Sequence, residues 1–132
     1  MNLPFTPDYS GKVAVVTGGA GVLCKEFCKA LALCGAKVAI LNRTLSKAED
    51  VAEEIRSMGG EASAFQVNVV DKESVKAAHE AVLAKYGKCD ILINGAGGNN
   101  PAATADDEFF SMETLKAEDK KSFFDLSEEG FT

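Results

Sequence analysis

The chain has 132 residues, 46% of them hydrophobic, and its 14 basic and 20 acidic side chains give a net charge of −6. That size and apolar content suit a globular domain with a core of its own and argue against intrinsic disorder. A net negative charge without a dense Lys/Arg cluster makes nucleic acid a poor partner, and no run reaches the ~18 apolar residues needed to cross a bilayer.

The opening residues, MNLPFTPDYSGK, lack the basic start and apolar core of a signal peptide, so the expected location is cytoplasmic, with no membrane partner. The β-rich run KVAVV, residues 12–16, reads as a first strand. After the glycine run TGGAGVLC, residues 22–34 read as a helix with Leu23, Phe27, Ala30, Leu31 and Cys34 on one face, ended by Gly35. KVAIL, residues 37–41, is a second strand. The helix after it has Ser46 and Glu49 at capping-box spacing, a stripe of Val51, Ala52, Ile55 and Met58, and a stop at Gly59-Gly60.

A third strand is expected in SAFQVNV, residues 63–69, and Asp71 then caps a helix running to Tyr86 before Gly87. CDILI, residues 89–93, is the fourth strand, apolar enough to be covered on both faces. Strands alternating with helices over short connections call for an α/β fold with a doubly wound parallel sheet. Residues 98–132 differ: they show no clear strand and mix turn formers and acids with five phenylalanines, which favours a long loop packed on the domain or a poorly ordered tail. The expected organisation is therefore a β-α-β-α-β-α-β unit over residues 1–97, followed by an extended loop and the start of a helix over 98–132.

The four cysteines, Cys24, Cys28, Cys34 and Cys89, form no C-x-x-C pair. Cys24 and Cys28, at i and i+4, could supply two metal ligands, but buried free thiols are the expectation and no metal is assigned. His79, the one histidine, falls near Val75, Val82 and Tyr86 on the third helix and reads as a packed or half-buried side chain rather than a base. Glu53-Glu54 and Asp106-Asp107-Glu108 have no partner that would make them acid/base machinery.

The glycine run sits between a strand and a helix, where Gly18, Gly19 and Gly21 let the chain turn tightly and bring backbone N–H groups and a helix N-terminus to a pyrophosphate. Without a ligand the same residues would simply make a glycine-rich turn. Cys24 stands where the dinucleotide fingerprint has a third glycine or an alanine, a position that serves close helix–strand packing, so the fingerprint is weakened but kept.

Thr17-Gly18 with the following glycines, NVVD at residues 68–71 and INGAG at residues 93–97 together resemble the N-terminal half of a short-chain dehydrogenase/reductase over residues 10–97. GGVLC, GGNNP and FFDLSEEGF further resemble the D-mannonate oxidoreductase (fructuronate reductase) group of that family. The resemblance implies a Rossmann-type sheet present only in part, about four strands of the usual seven, and hydride exchange with a nicotinamide cofactor. It implies a sugar-acid substrate, D-mannonate or D-fructuronate, and a homo-oligomer at full length. Another sugar, a gluconate or a 3-oxoacyl thioester is the alternative substrate, and a nucleotide-binding module without chemistry is the alternative class.

Carried over residue by residue, Gly18, Gly19, Gly21, Val22 and Leu23 would line the pyrophosphate and nicotinamide ribose, Asn68 and Val69 the adenine, and Asn94, Ala96 and Gly97 the ribose side. Asn94 could instead cap backbone groups at the strand end. At the end of the second strand an NAD-preferring enzyme places an acid on the ribose 2′-hydroxyl, but this chain has Asn42 followed by Arg43. Loss of the acid favours NADP over NAD, although Arg43 could also be a merely solvated residue. In the loop, Asn99, Asn100 and Thr104 could bond a polyhydroxylated substrate or cap turns, and Lys116, Lys120 and Lys121 are its only cations for a carboxylate. The family's catalytic Tyr-x-x-x-Lys is absent: Tyr9 and Tyr86 are followed four residues on by Val13 and Asp90, so no catalytic residue is assigned and a catalytically inactive fragment is expected.

Overall fold

The computed structural model describes residues 1–98 and 101–131. Met1–Ala96 form one compact unit and Gly97–Thr132 a second.

The first unit alternates β1 (Val13–Thr17), α1 (Cys24–Leu33), β2 (Lys37–Asn42), α2 (Leu45–Ser57), β3 (Glu61–Gln66), α3 (Lys72–Tyr86) and β4 (Ile91–Asn94). All strand pairs are parallel, in the order β3-β2-β1-β4. Because side chains alternate along each strand, Val16, Val38, Ile40 and Ala62 face one side, where α1 and α2 cover them, and Val15, Ala39 and Leu41 face the other, where Ala78 and Val82 of α3 cover them. Ile40 and Ile55 are fully buried in the first layer, each contributing roughly 1.5–3 kcal/mol of hydrophobic stabilisation. The sheet is doubly wound, and its order reverses direction between β1 and β4.

Several local expectations change. The buried line of α1 is Cys24, Cys28 and Ala32, not Leu23 and Phe27, which are 70% and 45% exposed. The helix starts directly under the glycine turn and lies close to the sheet, so the small residues at i, i+4 and i+8 turn inward and the bulky ones outward. Helix α2 begins at Leu45 with Thr44 as its N-cap, and the expected Ser46–Glu49 capping box is not formed. Glu49 and Glu53 instead pair with Arg56, at 3.3 and 2.7 Å, and Met58 is an exposed C-cap.

Strand β3 is shifted earlier than expected, because Lys37↔Glu61 to Asn42↔Gln66 is the register that β2 offers; Val67 still donates to the Asn42 carbonyl at 3.0 Å. Strand β4 begins at Ile91 and is not covered on both faces, with Leu92 57% exposed on the α3 side, beyond the reach of α3. His79 is exposed rather than packed: α3 buries Ala78 and Val82, and His79, one step round the helix, points outward with Val75. Asp71 caps α3 as expected, accepting from the Glu73 N–H, and Gly87 closes it at φ 79°.

The second unit is built from short turns: 3-10 turns at Pro101–Ala103, Phe123–Asp125 and Glu128–Phe131, and the one-turn helix α4 (Met112–Lys116). Polar bonds hold it. The Asp107 carboxylate accepts from the buried Thr114 hydroxyl at 2.5 Å and from Lys120 at 3.1 Å, and Ser127 N–H donates to the Ala102 carbonyl at 2.8 Å. Phe109, Phe110, Phe123 and Phe124 are all at least 67% exposed. Phe123 and Phe124 meet edge to face with centroids 5.7 Å apart. Asn99 and Asn100 lie outside the described residues.

Candidate functional site

Parallel strands place all their carboxyl ends on one edge of the sheet, and in such sheets ligands settle where the strand order reverses. Here that point lies between β1 and β4, whose last residues, Thr17 and Asn94, are paired in register. Along the same edge, in spatial order, stand Asn68 and Val69 after β3, Asn42 and Arg43 at the end of β2, the glycine turn after β1, and Asn94 and Ala96 at β4. Residues scattered over more than seventy positions of sequence thus share one rim. Gly97 opens the second unit.

The glycine turn is shaped by lack of space. Gly18 has φ 63°, and a Cβ there would lie 2.7 Å from the Gly95 carbonyl oxygen and 2.8 Å from the Ala96 nitrogen. Gly19 faces inward: its Cβ would meet Ile40 at 2.7 Å, and its N–H is already given to the Leu41 carbonyl at 3.2 Å. Its missing side chain therefore serves packing, and phosphate contact falls to its neighbours. Gly21 donates to the Gly18 carbonyl at 2.9 Å, tightening the turn.

Ahead of α1, the backbone N–H groups of Ala20, Val22 and Leu23 have no acceptor among the described residues. Leu23, the N-cap of α1, provides no side-chain cap, and the Val22 and Leu23 side chains are 82% and 70% exposed. Unclaimed donors at a helix start, with partial positive charge behind them, fit an anion.

Two further side chains hold this turn, in roles the sequence does not announce. The Thr17 hydroxyl accepts from the N–H groups of Gly95 and Ala96 at 3.1 and 3.2 Å, tying β4 to the turn. The Cys28 thiol donates to the Gly19 carbonyl at 3.7 Å from below. Burial, with Cys24 nearby, pushes the Cys28 thiol up to about 12, so it stays protonated and structural. The signal in the sequence was the spacing of small residues Cys24, Cys28 and Ala32. All four cysteines are free, with Cys24 and Cys28 buried and Cys89 exposed.

At β2, the Asn42 amide donates to the Thr44 carbonyl at 3.0 Å, orienting the side chain at the rim, while Arg43 is exposed. Asn68 shapes its own turn, accepting from Val70 N–H at 3.4 Å and donating its backbone N–H to Ser74 at 2.8 Å. The Asn94 side chain is exposed and makes no hydrogen bond among the described residues, so it does not cap the strand end here. In the second unit Lys120 is paired with the Asp107 carboxylate at 3.1 Å. No group of three or more His, Cys, Asp or Glu among the described residues is placed to hold a metal, and none of the described helices is long and apolar enough to cross a membrane.

The profile of the short chain dehydrogenase family matches residues 12–129. An uncharacterized oxidoreductase of Bacillus subtilis (strain 168), UxuB, is 46% identical over 129 residues, covering 98% of this chain and 45% of its own. A Haemophilus influenzae protein provisionally designated a D-mannonate oxidoreductase, crystallised with NAD bound, superposes with a TM-score of 0.80 at 41% identity, over 94% of this chain and 44% of its own. A metagenomic short-chain oxidoreductase in complex with NADP superposes with a TM-score of 0.66 at 36% identity, over 68% of this chain and 41% of its own. The chain spans less than half the length of these relatives.

Proposed function

This chain belongs to the short-chain dehydrogenase family, and we propose that it forms the cofactor-binding part of an NAD(P)-dependent oxidoreductase that interconverts D-mannonate and D-fructuronate. For the cofactor, the reading rests on the turn itself: glycines that leave no room for a Cβ and three unclaimed N–H groups at a helix start. Those amides, on Ala20, Val22 and Leu23, would bind the pyrophosphate, and the rim from Asn42 to Asn68 would take the adenosine end. Bound nicotinamide would supply the hydride. The chain's own part is to seat and orient the cofactor. No Tyr-x-x-x-Lys occurs in these 132 residues, so the 132-residue chain alone is expected to bind without turning over.

For the substrate, the observation that carries the reading is the likeness to the NAD-bound relative described as a D-mannonate oxidoreductase, at 41% identity over 94% of this chain. GGNNP at residues 97–101 and FFDLSEEGF at residues 123–131 add to the same likeness. NADP is the preferred cofactor, because residues 41–44 carry no acid that would repel a 2′-phosphate and Arg43 is exposed beside Asn42. The proposed setting is the cytoplasm, with a homo-oligomer as the working assembly.

A protein of the relatives' full length carrying this chain tests the assignment. It is assayed against fructuronate, tagaturonate, 5-ketogluconate and an acetoacetyl thioester with both cofactors. Preference for fructuronate supports the proposal; a clear preference for another substrate replaces mannonate but keeps the oxidoreductase; no cofactor-dependent turnover on any of them favours a binding module.

A further inference from the structure

We propose that Cys24 is a positioning residue of the nucleotide site: its sulfur sets the distance between the first turn of α1 and the Gly95–Ala96 peptide, and so fixes where the pyrophosphate-facing amides stand. The inference rests on the nucleotide reading of the glycine turn.

The first observation concerns Gly95. Its φ is not in the left-handed region, so its backbone would accept a side chain. Space is what requires glycine there, because a Cβ on Gly95 would collide with the Cys24 sulfur and lie 2.9 Å from the Thr17 carbonyl oxygen. Cys24 is only 8% exposed, and its Cβ stands 3.6 Å from the same point. The sulfur therefore occupies the gap between helix and strand end that a third glycine in the fingerprint would leave to the backbones.

The second observation concerns what else meets this peptide. Gly18 faces the Gly95 carbonyl and the Ala96 nitrogen, and the Thr17 hydroxyl holds both N–H groups at 3.1 and 3.2 Å. The backbone of β4's end is thus fixed to the β1 side of the turn. On the α1 side the helix has no side-chain cap at Leu23, and the α1 atom that stands against the Gly95 position is the Cys24 sulfur.

Removing that atom leaves a gap too small for water, and the helix start must either lose contacts or sink toward the sheet. Either way the amides of Ala20, Val22 and Leu23 shift relative to Ala96. Hydrogen bonds to phosphate weaken steeply with such misplacement. Asn42 and Asn68 follow β2 and β3, on the other side of β1 from the β4 end that meets Cys24, so the adenosine end should not feel the change.

Titration calorimetry on the 132-residue chain tests this with NADP, NAD and adenosine 2′-monophosphate, the last lacking a 5′-phosphate and so occupying only the adenosine end. Cys24→Ala should weaken both dinucleotides by about fivefold or more and the adenosine fragment by less than about twofold. Cys24→Ser, which keeps an atom in the gap, should retain dinucleotide affinity. Gly95→Ala should weaken the dinucleotides, and Cys24→Gly combined with it should recover part of the loss, since the new methyl group then fills the vacated space.

The inference is overturned if Cys24→Ala leaves dinucleotide affinity unchanged, or if it weakens fragment and dinucleotide in the same proportion, as a purely structural residue would. An unaltered chain that binds the fragment but neither dinucleotide, or binds nothing, overturns the nucleotide reading itself and the inference with it.

Discussion

The Cα of Gly18 faces the carbonyl oxygen of Gly95 so closely that a Cβ on Gly18 would stand 2.7 Å from it. Two loops separated by seventy-seven positions of sequence therefore meet backbone to backbone, and the glycine also has φ 63°, which disfavours any side chain. Gly18→Ala should cost about 1–3 kcal/mol of stability through overpacking and left-handed strain, and should reduce dinucleotide binding further by pushing the turn off β4. Urea unfolding and a cofactor titration of the same variant measure the two effects. Wild-type stability together with wild-type affinity would refute the close-approach argument.

Asn42 lies at the rim with its amide given to the Thr44 carbonyl at 3.0 Å. Asn42→Asp loses that donor, adds a carboxylate able to accept from a ribose 2′-hydroxyl, and repels a 2′-phosphate. The ratio of NADP to NAD affinity should fall by about tenfold or more, read by paired titrations. An unchanged ratio would place cofactor discrimination elsewhere.

How much of this was legible in the sequence depends on what each residue's role requires. The strand–glycine–helix order and the two-layer core follow from local pattern and parallel topology, whereas Asn68 and Asn94 were picked out by the family resemblance. The inward face of α1 does not: periodicity fits Leu23 and Phe27 as well as Cys24 and Cys28, and only the tight approach under the turn selects the small set. The exposure of Leu92 was likewise hidden, because an apolar strand reads as covered whether or not a layer lies over it. The Thr17 hydroxyl bonds join residues far apart in sequence, and no local signal announces them.

Asp90 ties the base of β4 to β1, accepting the Val13 N–H at 2.8 Å, and that bond first, then Lys88 at 3.0 Å, holds its carboxyl below the usual carboxylate range. A lowered folded-state value means the contribution is complete above the unfolded value of about 3.9 and is lost as pH falls through the folded one. Asp90→Ala should therefore melt below the parent at neutral pH, with the gap narrowing in acid. Melting temperatures of both proteins between pH 7 and pH 2.5 test it, and a gap that widens in acid would contradict the sign.

Strand β4 pairs with β1 on one side only among the described residues, and Leu92 is 57% exposed beside it. We expect the 132-residue chain to self-associate through this edge, and Leu92→Lys to suppress the association. Sedimentation velocity over a concentration series measures it; a single monomeric species at high concentration would count against the edge.

The most direct test of the central claim, that a nicotinamide dinucleotide lies along the carboxyl edge of the sheet, is a titration of the isotopically labelled 132-residue chain followed by its backbone amide resonances. NADP should produce saturable shifts at Ala20, Val22 and Leu23, accompanied by shifts at Asn42, Asn68 and Asn94, with Gly18→Ala losing the first group. Saturation without movement of Ala20, Val22 and Leu23, or shifts confined to the opposite end of the unit around Ala32, Met58 and Gly60, would contradict it.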